Sequence, residues 1–165
     1  MTLIVEDGTG LSNAESFVSV ANADARHSAT GMTNWATLTT TEKEQALRRA
    51  TNYMEGQYRS RWKGIKATQL QALSWPRGGA VVDGYTLEGD IVPAEVANAC
   101  ADLALKAAAG DLNPDLERAI IREKVGPLET EYSAHSPQAK RYSAINAALA
   151  PYLMGSSTVA MLVRA

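Results

Sequence analysis

The stretch TEKEQALRRATNYMEGQY, Thr41–Tyr58, carries the clearest helical pattern in the chain. Thr41 followed three residues later by Glu44 has the form of a capping box, which predicts that a helix begins there. Apolar side chains then recur at helical spacing, at Leu47, Ala50, Tyr53, Met54 and Tyr58. One face of this helix is therefore expected to pack against other helices.

Start and stop signals predict helices on both sides of this stretch. Ser19 as an N-cap and Gly31 just past the end predict a helix over about 20–30. Pro93 at a first helical position and Gly110 at the end bound an alanine-rich helix. Ser136-Pro137 and Gly155 delimit a last helix in the same way, and a short helix is expected over 67–73. Trp35, in a polar loop, is expected to pack back onto the core.

The remaining segments have β-type or turn-rich patterns. TLIVE at residues 2–6 is short and β-branched, 77–92 reads as an irregular loop or small hairpin, and 120–132 as a hairpin or extended arm. We predict a mainly α fold, with about four helices in a small bundle and short β-strands at the termini. Residues 1–155 would form one domain, and 156–165 a β-type tail that pairs through Val159, Met161 and Val163 with the amino-terminal strand or with a partner.

The bulk composition is that of an ordinary globular domain. The chain has 165 residues and a formal net charge of -2, which argues against coating nucleic acid over the whole surface. No apolar run reaches the roughly 18 residues that a membrane span needs. The single cysteine, Cys100, fits a reducing compartment. The acidic start MTLIVEDGTG is unlike a signal peptide, so we expect a product made in the cytoplasm that has no membrane partner.

Candidate catalytic and metal-binding residues are few. His27 and His135 have no neighbouring cysteine and no metal-site spacing. Cys100 falls on the apolar face of a predicted helix, where a free cysteine behaves as a small hydrophobe, and no base is nominated beside it. We therefore predict no catalytic residue, no metal and no cofactor, and do not expect an enzyme.

Residues 57–82 stand out by charge. This segment holds five basic residues and no acidic one, a local charge of +5. The basic residues are Arg59, Arg61, Lys63, Lys66 and Arg77. Basic residues interleaved with aromatic rings are typical of single-strand binding, in which rings stack on bases and cations neutralise phosphates. Contact with DNA or with an assembly partner is one interpretation, and plain solvation of the charges is the other.

Two tryptophans lie within the same segment. Trp62 and Trp75 could stack on bases, or they could fill the core where the chain meets the helical bundle. We favour the core for both, because buried aromatic rings dominate core energetics. In LSWPRGG, residues 73–79, Pro76 would then hold Trp75 extended and open the loop that follows.

Several segments in order resemble small bacteriophage proteins of the head–tail adaptor family, also called head-completion or connector proteins. These segments are VEDGTGLSNAESFVSVANADA, EKEQALRRATNYM, RWKG, QALSWPR and IVPAEVANACADLAL. The segment EKVGPLETEYS resembles the arm that such adaptors place after their third helix. Many members of the family carry a DnaT-like single-stranded-DNA-binding label.

The resemblance implies a structural role in a phage virion, at the neck between head and tail. Subunits would form a ring, usually of twelve copies, under the portal protein and would extend the channel through which genomic DNA passes. The next neck protein, or stopper, or a tail protein would dock beneath it. The alternative is a DnaT-like protein that binds single-stranded DNA through residues 57–82.

Overall fold

Helices make up most of the regular structure in residues 2–115, 122–125, 128–131 and 140–155, which the computed structural model describes. The helices of these ranges are α1 (Val20–Ala29), α2 (Thr33–Ala36), α3 (Thr40–Tyr58), α4 (Ala94–Ala109), α5 (Ser143–Leu149) and a 3-10 turn (Ala150–Tyr152). The strands are β1 (Ile65–Lys66), β2 (Arg77–Gly78), β3 (Val81–Val82), β4 (Tyr85–Thr86), β5 (Arg122–Val125) and β6 (Leu128–Glu131). The predicted mainly α fold with small β additions is confirmed.

The core is built around the packing of α3 against α4. α3 buries Leu47, Ala50 and Met54 on the face that its spacing predicts. The alanine-rich α4 lies against it, and alanines let two helix backbones approach closely. Thr51 Oγ1 lies 3.3 Å from Cys100 Sγ across this interface. Burial raises the pKa of the Cys100 thiol, which acts as a core residue as predicted.

The start of α3 corrects the predicted cap by two residues. Thr39, and not Thr41, is the N-cap, and its hydroxyl accepts from the backbone N–H of Glu42. Glu42 closes the capping box by accepting from the backbone N–H of Thr39 at 2.8 Å. Thr39, Thr40 and Thr41 follow one another, so more than one threonine could cap the helix. Glu44, the predicted partner of Thr41, forms an ion pair with Arg48 one turn further along, with 3.6 Å between Oε2 and Nη1.

The amino-terminal helices follow their local signals. Ser19 caps α1 as predicted, and Gly31, with a φ of +72°, adopts the left-handed conformation just past its end. Trp35 lies in the short helix α2 and is buried, as expected of a residue that packs back onto the core. Its indole Nε1 donates to Asp24 Oδ1 at 2.6 Å, which ties α2 to α1.

Residues 67–73 do not form the predicted helix. The Thr68 N–H donates to Gln71 Oε1 at 2.8 Å, and the Gln71 N–H donates back to Thr68 Oγ1 at 3.1 Å. Gln71 Nε2 also donates to the carbonyl oxygens of Leu73 and Pro76. Side-chain bonds of this kind compete with helical backbone bonds and hold an irregular turn. The Trp75–Pro76 peptide bond that follows is cis.

Three short antiparallel ladders complete the described fold. β1 pairs with β2, and β3 with β4 in the small hairpin expected within 77–92. β5 and β6 pair from Arg122 opposite Glu131 to Val125 opposite Leu128. The hairpin predicted near 120–132 is therefore present, between α4 and α5 in the chain.

Helix boundaries and the chain ends differ in part from expectation. Pro93 is the residue before α4 and not its first residue, whereas Gly110 ends α4 as predicted. α5 begins at Ser143 and residues 140–142 are not helical, so the last helix starts later than predicted; Ser136 and Pro137 lie outside the described residues. Near the amino terminus, Val5 makes one parallel bridge with Ser16 and no strand.

The tail residues Val159, Met161 and Val163 lie outside the described residues, as do His135 and Pro137. Within the described part of the chain, no helix is both long and apolar enough to cross a membrane.

Candidate functional site

The two tryptophans of segment 57–82 lie in the core. Trp62 is 1% exposed and Trp75 is 0% exposed, and their rings meet edge to face at 5.7 Å. Tyr58 and Tyr152 extend this aromatic cluster on either side. Neither indole Nε1 has a hydrogen-bond partner among the described residues. In this arrangement the rings stabilise the fold and are not available to stack on bases.

Arg77 is also part of the interior. Its side chain is 9% exposed, and burial lowers the pKa of its guanidinium. Nε donates to the Lys63 carbonyl at 2.7 Å, and Nη2 to the Gly64 carbonyl at 2.6 Å. Nη1 donates to the Ser74 carbonyl at 3.2 Å. The contact with DNA or a partner expected for Arg77 is thus replaced by three internal hydrogen bonds that hold the β1–β2 region.

The other basic residues of the segment divide into two groups. Lys63 Nζ donates to the Val81 carbonyl and Lys66 Nζ to the Gln71 carbonyl, so both partly support neighbouring loops. Arg59 and Arg61 are exposed at the end of α3. Within the described ranges their guanidinium groups make no hydrogen bond or ion pair. Of the five predicted contact residues, these two are the ones whose charged groups make no such bond within the described chain.

Arg61 belongs to a cavity that the sequence did not indicate. We call it the basic cleft: an open cavity of about 580 Å³ between the carboxyl half of α3 and the start of α5. Its cations are Arg61, Lys140 and Arg141, and no acidic side chain is among its described lining residues. Polar and aromatic walls come from Tyr53, Gln57, Tyr58, Asn113 and Asn146. The cleft thus combines positive charge with amides and phenol rings.

Hydrogen bonds between distant segments hold the walls of the basic cleft. The Met154 N–H donates to the Arg61 carbonyl at 2.6 Å, which fixes the chain end of the described fold beside α3. Lys140 Nζ donates to the Asp111 carbonyl at 3.2 Å, and Tyr142 Oη to the Leu112 carbonyl at 3.2 Å. Residues 140–142 are in this way anchored to the segment after α4, and Lys140 and Arg141 line the same cleft as Arg61.

The arrangement of the basic cleft suits a polyanion. Its three cations are exposed and form no ion pair among the described residues, so they can neutralise phosphates and release counterions. Amide side chains such as Gln57 and Asn113 can donate to phosphate oxygens or base edges. Tyr53 is half-buried, stacks edge to face on Tyr142 at 5.5 Å, and lines the cleft with part of its ring.

Sequence reasoning missed Lys140 and Arg141. Their signal is the dipeptide Lys140-Arg141 directly before Tyr142, a basic pair beside an aromatic ring, which repeats on a small scale the pattern singled out in 57–82. What the sequence does not show is that this pair lines the same cleft as Arg61, about eighty residues away along the chain.

The candidate metal and nucleophilic residues stay apart. His27 is buried, with Nε2 3.1 Å from the Ala101 carbonyl and its ring against Trp35. Cys100 lies in the α3–α4 interface. Among the described residues, no group of three His, Cys, Asp or Glu side chains is placed to hold a metal ion.

Comparison with known proteins matches the chain to a protein family. A family model described as "Putative DnaT-like ssDNA binding protein" matches residues 1–165, the whole chain. The chain belongs to this family. No curated protein and no solved structure shows significant similarity to it. The family label agrees with the single-stranded-DNA alternative from the sequence, and the resemblance to head–tail adaptors stays a prediction.

Proposed function

We propose that this chain binds single-stranded DNA at the basic cleft. The observation that carries the proposal is the set of three cations, Arg61, Lys140 and Arg141, around a cavity without an acidic lining residue in the described chain. Membership of the DnaT-like family supports the same ligand. The site differs from the one expected from sequence, because Trp62, Trp75 and Arg77 support the fold from within.

Binding would rest on charge first and on stacking second. Each phosphate neutralised on a single strand contributes about 0.7 to the slope of log affinity against log salt. Three cations therefore predict a slope contribution of about 2 from the cleft. Amides and the edge of Tyr53 would add contacts that a flexible single strand can reach more easily than a stiff duplex.

The test is fluorescence anisotropy with a labelled oligo-dT and with a duplex of equal length, over a range of salt concentrations. The triple variant Arg61→Ala/Lys140→Ala/Arg141→Ala should bind at least tenfold more weakly and with a shallower salt slope. Arg59→Ala is the control, because it removes an exposed cation near the end of α3 that does not line the cleft. Equal affinity of the triple variant and the wild type would contradict the proposal.

We propose a second candidate function, that of a head–tail adaptor in the neck of a phage virion. The hairpin β5–β6 favours it, since it lies after α4, the third helix longer than about one turn, and the resemblance predicts an arm after a third helix. In this role the chain would assemble with itself into a ring, bind the portal protein and the next neck or tail protein, and surround genomic DNA. Neither candidate requires catalysis, and the lack of an enzymatic role stays a prediction.

Electron microscopy of the protein mixed with its phage's portal protein tests the second candidate. Rings on the portal vertex would support it, and no association at micromolar concentration would count against it. The affinity for oligonucleotides distinguishes the two candidate functions. A single-stranded-DNA-binding protein should bind them tightly, whereas the wall of a DNA channel should bind the passing DNA only weakly.

A further inference from the structure

A second cavity continues from the basic cleft along α3. It has a volume of about 300 Å³ and shares Tyr53, Gln57 and Asn113 with the cleft. At its far end lies Arg49, which is exposed and makes no hydrogen bond or ion pair within the described chain. Asp111 is its one acidic lining residue among those described. The two cavities together make a longer groove with cations at both ends.

The floor of this longer groove is one face of α3. Arg49, Tyr53, Gly56 and Gln57 follow one another at steps of three or four residues or as neighbours, so they share a face of the helix. From Arg49 to Gln57 the helix rises about 12 Å, and Arg61 lies about one turn further on. A stacked strand rises about 3.4 Å along its axis for each nucleotide, so this length corresponds to roughly four to five nucleotides.

Gly56 lies on this face in the last turn of α3, between Arg49 at one end of the groove and Arg61 at the other. Apart from proline, glycine destabilises a helix more than any other residue, so we expect a structural role for Gly56 in α3. The fold does not supply one: a side-chain carbon built on Gly56 meets no atom within 4 Å. A glycine that the protein's own packing does not need, at the floor of a groove, leaves room for something to approach the helix backbone closely.

We propose that a single DNA strand follows this groove from the basic cleft to Arg49 and crosses α3 at Gly56. The inference rests on the proposed function and adds a path, a length and a contact point to it. Gly56 acts as a positioning residue. Because it has no side chain, the strand can lie close to the backbone of α3, and its phosphates can then reach the cations at both ends of the groove.

The variant Gly56→Leu tests the crossing. Leucine is a good helix former and fills the open space over the floor of the groove. Oligo-dT of ten nucleotides should bind the variant at least tenfold more weakly than the wild type, with an unchanged circular dichroism spectrum. Ala25→Leu is the matched control, because it adds the same side chain at an exposed helical position that lines no described cavity. Gly56→Ala serves as a smaller obstruction if the leucine variant does not fold.

Oligonucleotide length gives the second measurement. In the wild type, affinity should rise steeply up to about five nucleotides and level off beyond that, since the groove is then filled. Arg49→Ala should weaken binding of a ten-nucleotide strand and leave a two-nucleotide strand in the cleft unaffected.

The outcomes separate the two proposals. If the wild type binds no oligonucleotide, the proposed function fails. If the wild type binds but Gly56→Leu binds within twofold of it, DNA binding stands and the crossing is wrong. Displacement of the strand by poly-glutamate at equal charge concentration would identify the groove as a site for an acidic protein segment and would also overturn the inference.

Discussion

Tyr58 Oη donates a hydrogen bond of 2.6 Å to Asn146 Oδ1, and this bond joins α3 to α5 at the wall of the basic cleft. Burial raises the pKa of Tyr58 to about 12, so the phenol stays a donor at any physiological pH. The bond fixes the distance between the helix that carries Arg61 and the segment that carries Lys140 and Arg141. The geometry of the cleft therefore depends on a contact 88 residues apart in sequence.

Tyr58→Phe should lower the free energy of unfolding by about 1 kcal/mol, since it removes one hydrogen bond and keeps the ring in the aromatic cluster. Oligonucleotide affinity should fall two- to fivefold, because α5 is less firmly held beside α3. Urea unfolding and anisotropy on the same preparation check both. The double variant Tyr58→Phe/Asn146→Ala should be little worse than the more damaging single change, and fully additive losses would show that the two groups are not coupled.

Replacing Arg77 should mainly lower the stability of the fold, whereas replacing Arg61 should mainly lower the affinity for DNA. Arg77→Ala leaves three backbone carbonyls without their donor and should cost about 2–4 kcal/mol of stability. Arg61→Ala removes an exposed side chain and should cost less than about 0.5 kcal/mol, while it weakens DNA binding. Thermal unfolding and anisotropy of the two variants check this. Loss of DNA binding by Arg77→Ala with undiminished stability would restore Arg77 as a contact residue.

The cap of α3 offers a matched pair of substitutions. Thr39→Ala should lower stability by about 1 kcal/mol, because it removes the side-chain acceptor for the Glu42 N–H. Thr41→Ala, two residues on and exposed, should change stability by less than about 0.5 kcal/mol. Urea denaturation curves of both variants and the wild type make the comparison. The reverse ranking would place the start of the helix at Thr41.

The sequence predicted what depends on neighbouring residues and missed what depends on distant ones. Ser19, Gly31 and Gly110 act through contacts within a turn, so they were placed correctly from sequence. The capping box was displaced because Thr39 with Glu42 and Thr41 with Glu44 both have its spacing, and the local pattern does not rank them. Residues 57–82 were predicted as a contact segment because their basic residues cluster along the chain, which does not show which side chains reach the surface.

The candidate site shows the same limit more strongly. Trp62, Trp75 and Arg77 are buried in the folded chain. Lys140 and Arg141, which are distant in sequence, line the same cleft as Arg61. Charge density along a sequence cannot distinguish an arginine that bonds three carbonyls from one that faces solvent. The strand-like pattern around Gly126-Pro127 predicted the β5–β6 hairpin, because that pattern also depends on neighbouring residues, and the family resemblance agreed with it.

His27 predicts a pH dependence of stability. Burial lowers the pKa of its imidazole, and the hydrogen bond to Ala101 and the charge of Asp102 oppose this only in part. In the unfolded chain the pKa of histidine is about 6.5, so between the two values the unfolded state binds more protons. Stability should therefore be greatest above pH 6.5 and should fall as the pH drops through 6.5 toward the lowered pKa of the folded state, by about 1.4 kcal/mol for each unit between the two values.

Urea unfolding of the wild type at pH 7.5 and pH 5.5 measures this loss. The variant His27→Gln keeps a polar side chain in place without a titrating group, so it should start less stable but lose less between the two pH values. Carboxylates with lowered pKa, such as Glu15 and Glu42, act at lower pH and are common to both proteins. Equal losses in the wild type and His27→Gln would mean that the buried imidazole is not the source of the acid sensitivity.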